Sequence, residues 1–242
     1  MTVKEFLDYL SQELNRSPRT VISYAEDLYA FEAYFLDKDE GLTWETIDTD
    51  IIRDWMESMV DKGNSPSSVA RRLSAVKGFF KFALAREFIS SDPAHAIRSP
   101  KRSRPLPQFL KENEINDLLD KQAWGDDFKG LRDRLIIMMF YETGVRLAEL
   151  VGMDDEAVNL AGQFIKVTGK GDKQRVIPFG NELKSMIENY VEERNRTVSR
   201  KTEALLVSET GLRIKPDLVQ RIVKENLARF CSLKKKSPHV LR

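Results

Sequence analysis

Residues 163–180 read QFIKVTGKGDKQRVIPFG, and this stretch breaks the rhythm of the chain around it. Elsewhere apolar residues recur at helical spacing. Here Phe164, Ile165 and Val167 form one β-rich run, Val176 and Ile177 form a second, and Gly169-Lys170-Gly171-Asp172 lies between them. Two such runs around a Gly/Asp turn predict a β-hairpin with Lys170 at its tip. On either side the pattern is helical. Helices are predicted over 113–120, 129–143, 181–195 and 215–231, with a short one in GVRLAELVGM (144–153) and a last one starting near Ser237-Pro238. The region 113–242 is therefore predicted to be helical with a small sheet inserted.

Residues 1–97 read as helical throughout. Val3, Phe6, Leu7, Leu10 and Leu14 keep helical spacing, and Ser17-Pro18 and Ser65-Pro66 each supply an N-cap followed by proline at the first helical position. Another helix runs from Thr49 and is stopped by Gly63. On the fourth, Val69, Leu73, Val76, Phe79, Phe80 and Ala83 share one side. Four helices with short polar connections imply a small bundle. The predicted fold class is thus mainly α, with a small β-sheet in the second domain. Between the two regions, residues 98–112 form a proline-containing basic linker. Arg98, Lys101, Arg102 and Arg104 place four positive charges in seven residues there. Such a linker suits a polyanion, although a merely solvated connection reads the same way.

The net charge of +1 conceals an asymmetry: residues 1–97 carry 11 Lys/Arg against 17 Asp/Glu, and the remainder carries 28 against 21. The first region is thus −6 and the rest +7, which points to a basic face on one part of the molecule. A single cysteine, Cys231, excludes an internal disulfide framework and fits a reducing cytoplasm. The two histidines, His95 and His239, lie far apart, so no metal-ligand cluster is visible and no cofactor is expected. No apolar run approaches the roughly 18 residues of a membrane helix, and the acidic amphipathic start MTVKEFLDYLSQEL is unlike a secretory or transit peptide.

Four side chains carry the chemistry. Arg146 follows a glycine turn at a helix start, Lys170 sits at the hairpin tip, and His239 and Arg242 are three apart in SPHVLR, side by side on a helix. Two arginines, a lysine and a histidine suit a phosphate dianion or a pentavalent phosphorane. The planar guanidinium fork grips two non-bridging oxygens at once, and phosphoryl transfer depends largely on positioning and charge neutralisation. Lysine and histidine then manage the protons of the leaving and attacking oxygens. Singly, each residue reads equally as a surface ion pair, a polar turn, a capped helix start or a frayed end.

Together these stretches resemble the tyrosine recombinases, or phage integrases, and within them the Xer-type branch. SPRTVISYAEDLYAF, SSVARRLSAVKGFFKFA, DPAHAI and the basic linker carry the likeness in the first half. YETGVRLAELVGM, VTGKGDKQRVIPFG and SPHVLR carry it, with greater specificity, in the second. The resemblance implies a SAM-like core-binding domain over 1–97 and an integrase-like α+β catalytic domain over 113–242, clamping double-stranded DNA. It implies site-specific recombination through a 3′-phosphotyrosyl bond, without metal, in a tetrameric synaptic complex of the full-length protein with itself or a related recombinase. By motif, Arg146 and Arg242 cradle the non-bridging oxygens, Lys170 is the general acid toward the leaving 5′-oxygen, and His239 assists proton transfer. Lys173 and Arg175 are supporting hairpin residues, and Glu149 either holds the Arg146 guanidinium or pairs elsewhere. DNA contacts are expected from Thr20, Tyr24, Arg71, Arg72, Ser74 and Lys77, from the linker bases, and from Lys173 and Arg175.

One departure accompanies the match. In the family the His-x-x-Arg motif is followed by a second histidine or tryptophan and then the nucleophilic tyrosine. Tyr9, Tyr24, Tyr29, Tyr34, Tyr141 and Tyr190 all precede His239, and none fits that motif. Residues 1–242 are accordingly expected to bind DNA but not to cleave it, with a second domain that lacks its last helices and is prone to associate. The alternative is a natural non-catalytic DNA-binding fragment that occupies recombination sites.

Overall fold

The computed structural model describes residues 1–101, 110, 112–121, 124–169, 173–230 and 236–241. Two compact units, Met1–Pro105 and Leu106–Arg242, each have their own hydrophobic core.

The first unit contains α1 (Val3–Asp8, continued by a π-helical turn Tyr9–Glu13), α2 (Pro18–Lys38), α3 (Thr49–Asp61) and α4 (Pro66–Ala85). Each helix start has a side-chain cap. Thr2 and Glu5 form a reciprocal capping box, while Ser17, Asp48 and Ser65 accept from backbone N–H groups of the first turns of α2, α3 and α4. The predicted single helix over 2–14 changes to π-helical geometry at Tyr9, a wider turn that spacing alone does not announce. Gly63, at φ +78°, ends α3 in the left-handed region that glycine occupies without a Cβ penalty. Helix α4 is the spine. It buries the predicted apolar side and also Ala70, Ala75 and Phe82, because α1, α2 and α3 all pack against it. Trp44 fills the centre, 4.3 Å from the Phe79 ring centroid and 5.2 Å from that of Phe35. Ser65→Ala removes the cap of this spine, whose hydroxyl accepts from Ser68 N at 3.2 Å. The expected cost is about 1 kcal/mol of unit stability, checked by urea unfolding followed on Trp44 and Trp55 fluorescence.

The second unit starts with α5 (Glu112–Asn116), continued by a π-helical turn Asp117–Lys121. There follow α6 (Phe128–Thr143), α7 (Leu147–Gly152), a 3₁₀ turn Asp155–Ala157, β1 (Val158–Asn159), β2 (Phe164–Thr168), β3 (Gln174–Pro178), α8 (Asn181–Thr197), α9 (Pro216–Phe230) and a 3₁₀ turn Pro238–Val240. The predicted hairpin is β2–β3, antiparallel, with Ile165 opposite Ile177 and Val167 opposite Arg175. Ile165 and Val167 point into the core and Lys166 and Thr168 point out, the alternation of a half-buried strand. β1 was not predicted; it pairs only two residues with β2 and has no apolar run of its own. The final segment forms one 3₁₀ turn rather than the start of an α-helix, and it is anchored because Pro238, Val240 and Leu241 are buried.

Helix α6 buries every residue from Leu135 to Phe140. Over that stretch it is apolar on all sides, and the helix packs against α8 and α9. Charged groups also lie inside this unit. Arg194, 1% exposed, donates to both oxygens of Asp155 at 2.7 and 3.0 Å and to the Leu205 carbonyl at 2.8 Å. Arg200 approaches the same Asp155 at 2.8 Å, so the end of α8 is stapled to the 3₁₀ turn and to the 204–207 segment. Among the described residues no helix is long and apolar enough to cross a membrane.

Candidate phosphate and DNA site

Helix α6 ends at Gly144, whose φ of +60° lets the chain reverse while its N–H donates to the Phe140 carbonyl at 3.1 Å. Two residues later Arg146 stands at the N-cap of α7, with its side chain 61% exposed. One turn on, Glu149 is buried, its side chain only 4% exposed. Its carboxylate collects four donors. The Arg146 backbone N–H donates to Oε2 at 2.7 Å and Arg146 Nη1 donates to Oε1 at 3.0 Å. From β3, Arg175 donates Nη1 to Oε1 and Nη2 to Oε2, both at 2.8 Å. A carboxylate gripped this way stays ionised. The Arg175 hydrogen bonds, with those from Arg146, hold its pKa at about 2 rather than 4.5, against the opposing effect of burial.

Gly169, directly after β2, packs against this group. Gly169 N–H donates to the Lys173 carbonyl at 2.8 Å, and a Cβ on Gly169 would lie 3.6 Å from Glu149 Oε1 and 3.7 Å from Arg175 Nη1. The residue before Lys170 is thus packed on the ion triplet. Beside it, the cleft lined by Glu149, Asp154, Glu156, Lys166, Thr168 and Gln174 carries three carboxylates against one lysine. Glu149 is neutralised by its two arginines and Asp154 is paired with Arg213, and the exposed guanidinium of Arg146 is the group here that attracts a phosphate.

The structure brings together Arg146, Glu149, Arg175 and the start of the β2–β3 turn. His239 is exposed in the 3₁₀ turn. Lys173 is exposed at the start of β3. Lys170 and Arg242, together with Arg102 and Arg104 of the linker, lie outside the described residues. The sequence left Glu149 between two roles, and it took Arg175 for a supporting cation. The pairing of the two across 26 positions has no local signal.

In the first unit, the expected DNA residues Thr20 and Tyr24 lie on α2 and Arg71, Arg72, Ser74 and Lys77 on α4. Arg71 donates to Ser23 Oγ at 2.8 Å and to both oxygens of Asp27, a carboxylate that is 4% exposed, while its own side chain remains 49% exposed. Tyr24 is half-buried and stacks on Phe6 at 6.3 Å. Thr20 shares a hydrogen bond with Ser17, and the Ser74 hydroxyl donates to the Ala70 carbonyl at 2.8 Å. Arg72 lies 3.8 Å from Asp27, and the Lys77 ammonium donates to the Ile97 carbonyl. Arg98 and Lys101 are exposed. Asp27 was missed, although a carboxylate beside Leu28 on the buried stripe of α2 is the signal that could have found it.

A helical bundle in one unit, and an arginine-bearing α-helix start locked to an antiparallel hairpin in the other, are the two parts of a phage integrase. Residues 3–87 match the phage integrase N-terminal SAM-like domain and residues 108–242 match the phage integrase family, and the chain belongs to that family. Its relatives are of the Xer type. The tyrosine recombinase XerC of Natranaerobius thermophilus is 36% identical over 245 residues, covering 98% of this chain and 81% of the relative. The tyrosine recombinase XerD of Oceanobacillus iheyensis is 29% identical over 243 residues, covering 99% and 81%.

Solved structures share the fold. The XerH site-specific recombinase bound to palindromic difH substrate, a post-cleavage complex, matches with a TM-score of 0.76 at 20% identity over 99% of this chain and 71% of that one. A lambda integrase tetramer bound to a Holliday junction matches at 0.69 and 20% identity, over 100% and 70%.

Proposed function

We propose that this chain carries the DNA-binding and phosphate-activating parts of a tyrosine-type site-specific recombinase, acting on double-stranded DNA in the cytoplasm. One observation carries the reading. Arg146, exposed and charged, is held by a buried carboxylate next to the hairpin turn that leads into Lys170, within a chain similar to Xer recombinases along nearly its whole length. In this reading Arg146 and Arg242 hold the non-bridging oxygens of the scissile phosphate, and their two charges offset the charge that grows in the phosphorane. Lys170 protonates the leaving 5′-oxygen, and exposed His239 shares the proton traffic. A tyrosine supplies the nucleophile and stores the bond energy as a 3′-phosphotyrosyl ester, so rejoining needs no nucleotide. In this reading resealing on a partner strand takes place in a tetrameric complex, like the lambda integrase tetramer bound to a Holliday junction.

The division into a core-binding domain over 1–97, a basic linker over 98–112 and a catalytic domain over 113–242 belongs to the same proposal. Among the tyrosines, Tyr190 is unsuited to attack. Its hydroxyl accepts from Val207 N at 3.1 Å, and burial pushes its pKa up to about 12. Residues 1–242 by themselves are expected to bind duplex DNA without forming a covalent adduct. The assay is binding by fluorescence anisotropy, followed by denaturing electrophoresis of the same mixtures. The logarithm of the affinity should fall linearly with the logarithm of salt concentration, by about 0.9 for each phosphate neutralised. A salt-independent affinity, or no affinity, contradicts the DNA reading. A protein–DNA adduct that survives denaturation contradicts the reading that none of the six tyrosines is the nucleophile.

A further inference from the structure

We propose that Arg175 is a positioning residue rather than a DNA contact: by gripping both oxygens of Glu149 it fixes how that carboxylate holds the Arg146 guanidinium. The inference rests on the reading that Arg146 meets a phosphate.

A carboxylate on a flexible stem rotates about its last bond. The two donors of Arg146, its backbone N–H on Oε2 and its Nη1 on Oε1, hold the carboxylate only relative to its own helix end. Arg175 adds a planar bidentate fork from another element, with its two bonds to Glu149 equal at 2.8 Å. The fork comes from β3, opposite Val167 in the sheet, so the orientation of Glu149 is referred to the hairpin and not to α7 alone. Gly169 packs on the same pair of side chains. The turn that leads into Lys170 and the helix that begins at Arg146 therefore share one ionic pin. In phosphoryl transfer the general acid and the oxygen-binding arginine act on the same phosphorus, and a common frame for the two is what orientation requires. Among the described residues Arg175 has both terminal nitrogens engaged, whereas Arg146 has one, which leaves Arg146 the better placed of the two to receive a phosphate.

The test uses residues 1–242 with ¹⁵N-labelled arginine, first without DNA. Hindered rotation of the Arg146 guanidinium is read by NMR at its terminal N–H groups, with buried Arg194 as the internal reporter of folding. Arg175→Met and Glu149→Gln are expected to release Arg146 into fast rotation while Arg194 stays hindered. Arg175→Lys is expected to rescue neither bond geometry nor rotation, because an ammonium cannot make the planar fork. If Arg175→Met also loses the Arg194 signal, Arg175→Lys, which keeps the charge and much of the stem, decides the matter. Arg146 as hindered as in the wild type, with Arg194 intact, overturns the proposal.

A second arm measures affinity for a generic duplex. Arg146→Met is expected to weaken binding by about tenfold, the worth of a charge-assisted bond, and Arg146→Met/Arg175→Met to be no weaker still. Losses that add make Arg175 an independent phosphate ligand and overturn it as well. If the wild type itself fails to bind duplex, the recombinase reading falls, while the NMR result on Arg175 stands or falls by itself.

Discussion

Glu149→Ala is expected to destabilise the Leu106–Arg242 unit by about 3 kcal/mol, because it leaves Arg175 and the Arg146 N–H without the buried carboxylate that holds them. The same residue makes the unit acid-sensitive, and the sign is definite. The folded state holds the Glu149 pKa at about 2 against an ordinary 4.5. Its contribution is complete above pH 4.5 and is lost as the pH falls through that window toward 2. A depression of that size corresponds to about 3 kcal/mol, since one pKa unit is worth about 1.4 kcal/mol. Urea unfolding at a series of pH values checks it. The wild type should lose stability between pH 4.5 and 2 more steeply than Glu149→Ala. Parallel curves for the two proteins contradict the assignment.

Arg194→Met is expected to cost the same unit about 2 to 3 kcal/mol, by removing a buried guanidinium that bonds the partly exposed Asp155 and the buried Leu205 carbonyl. The guanidinium, 1% exposed, holds Asp155 and the Leu205 carbonyl at once, and it lies 5.7 Å from the Tyr190 ring centroid. Methionine fills most of the volume but returns none of those bonds, so among the described residues Asp155 keeps only its ion pair with Arg200. The melting temperature of this unit should drop by on the order of 10 °C. The transition of the Met1–Pro105 unit, which has a separate core, should stay in place. A loss under about 1 kcal/mol would mean that the pair behaves as a surface ion pair.

How much of this was legible beforehand follows from which forces act locally. Caps and prolines at Ser17-Pro18 and Ser65-Pro66 marked the starts of α2 and α4, and the change of period at 164–178 marked β2–β3, because both signals sit within a few residues. The π-helical turns after α1 and α5 and the two-residue β1 were not legible, since they depend on how neighbours pack. At the site, Arg146 was read correctly as the start of a helix after a glycine turn. What holds it was only half read. Glu149 is one turn away and was noticed, but Arg175 reaches it from another element, and Asp27 reaches Arg71 across 44 positions. Long-range ion pairs leave no periodicity in a single sequence, and they are what turn isolated cations into a preorganised surface.

The most direct measurement is the salt dependence of duplex DNA binding by residues 1–242 and by Arg146→Ala, side by side. The expected result is a linear fall of log affinity with log salt for both. The slope of the variant should be smaller in magnitude by about 0.9, the share of a single neutralised phosphate. Identical slopes and affinities would show that Arg146 does not meet the DNA backbone, and would contradict the phosphate-holding role on which the recombinase reading depends.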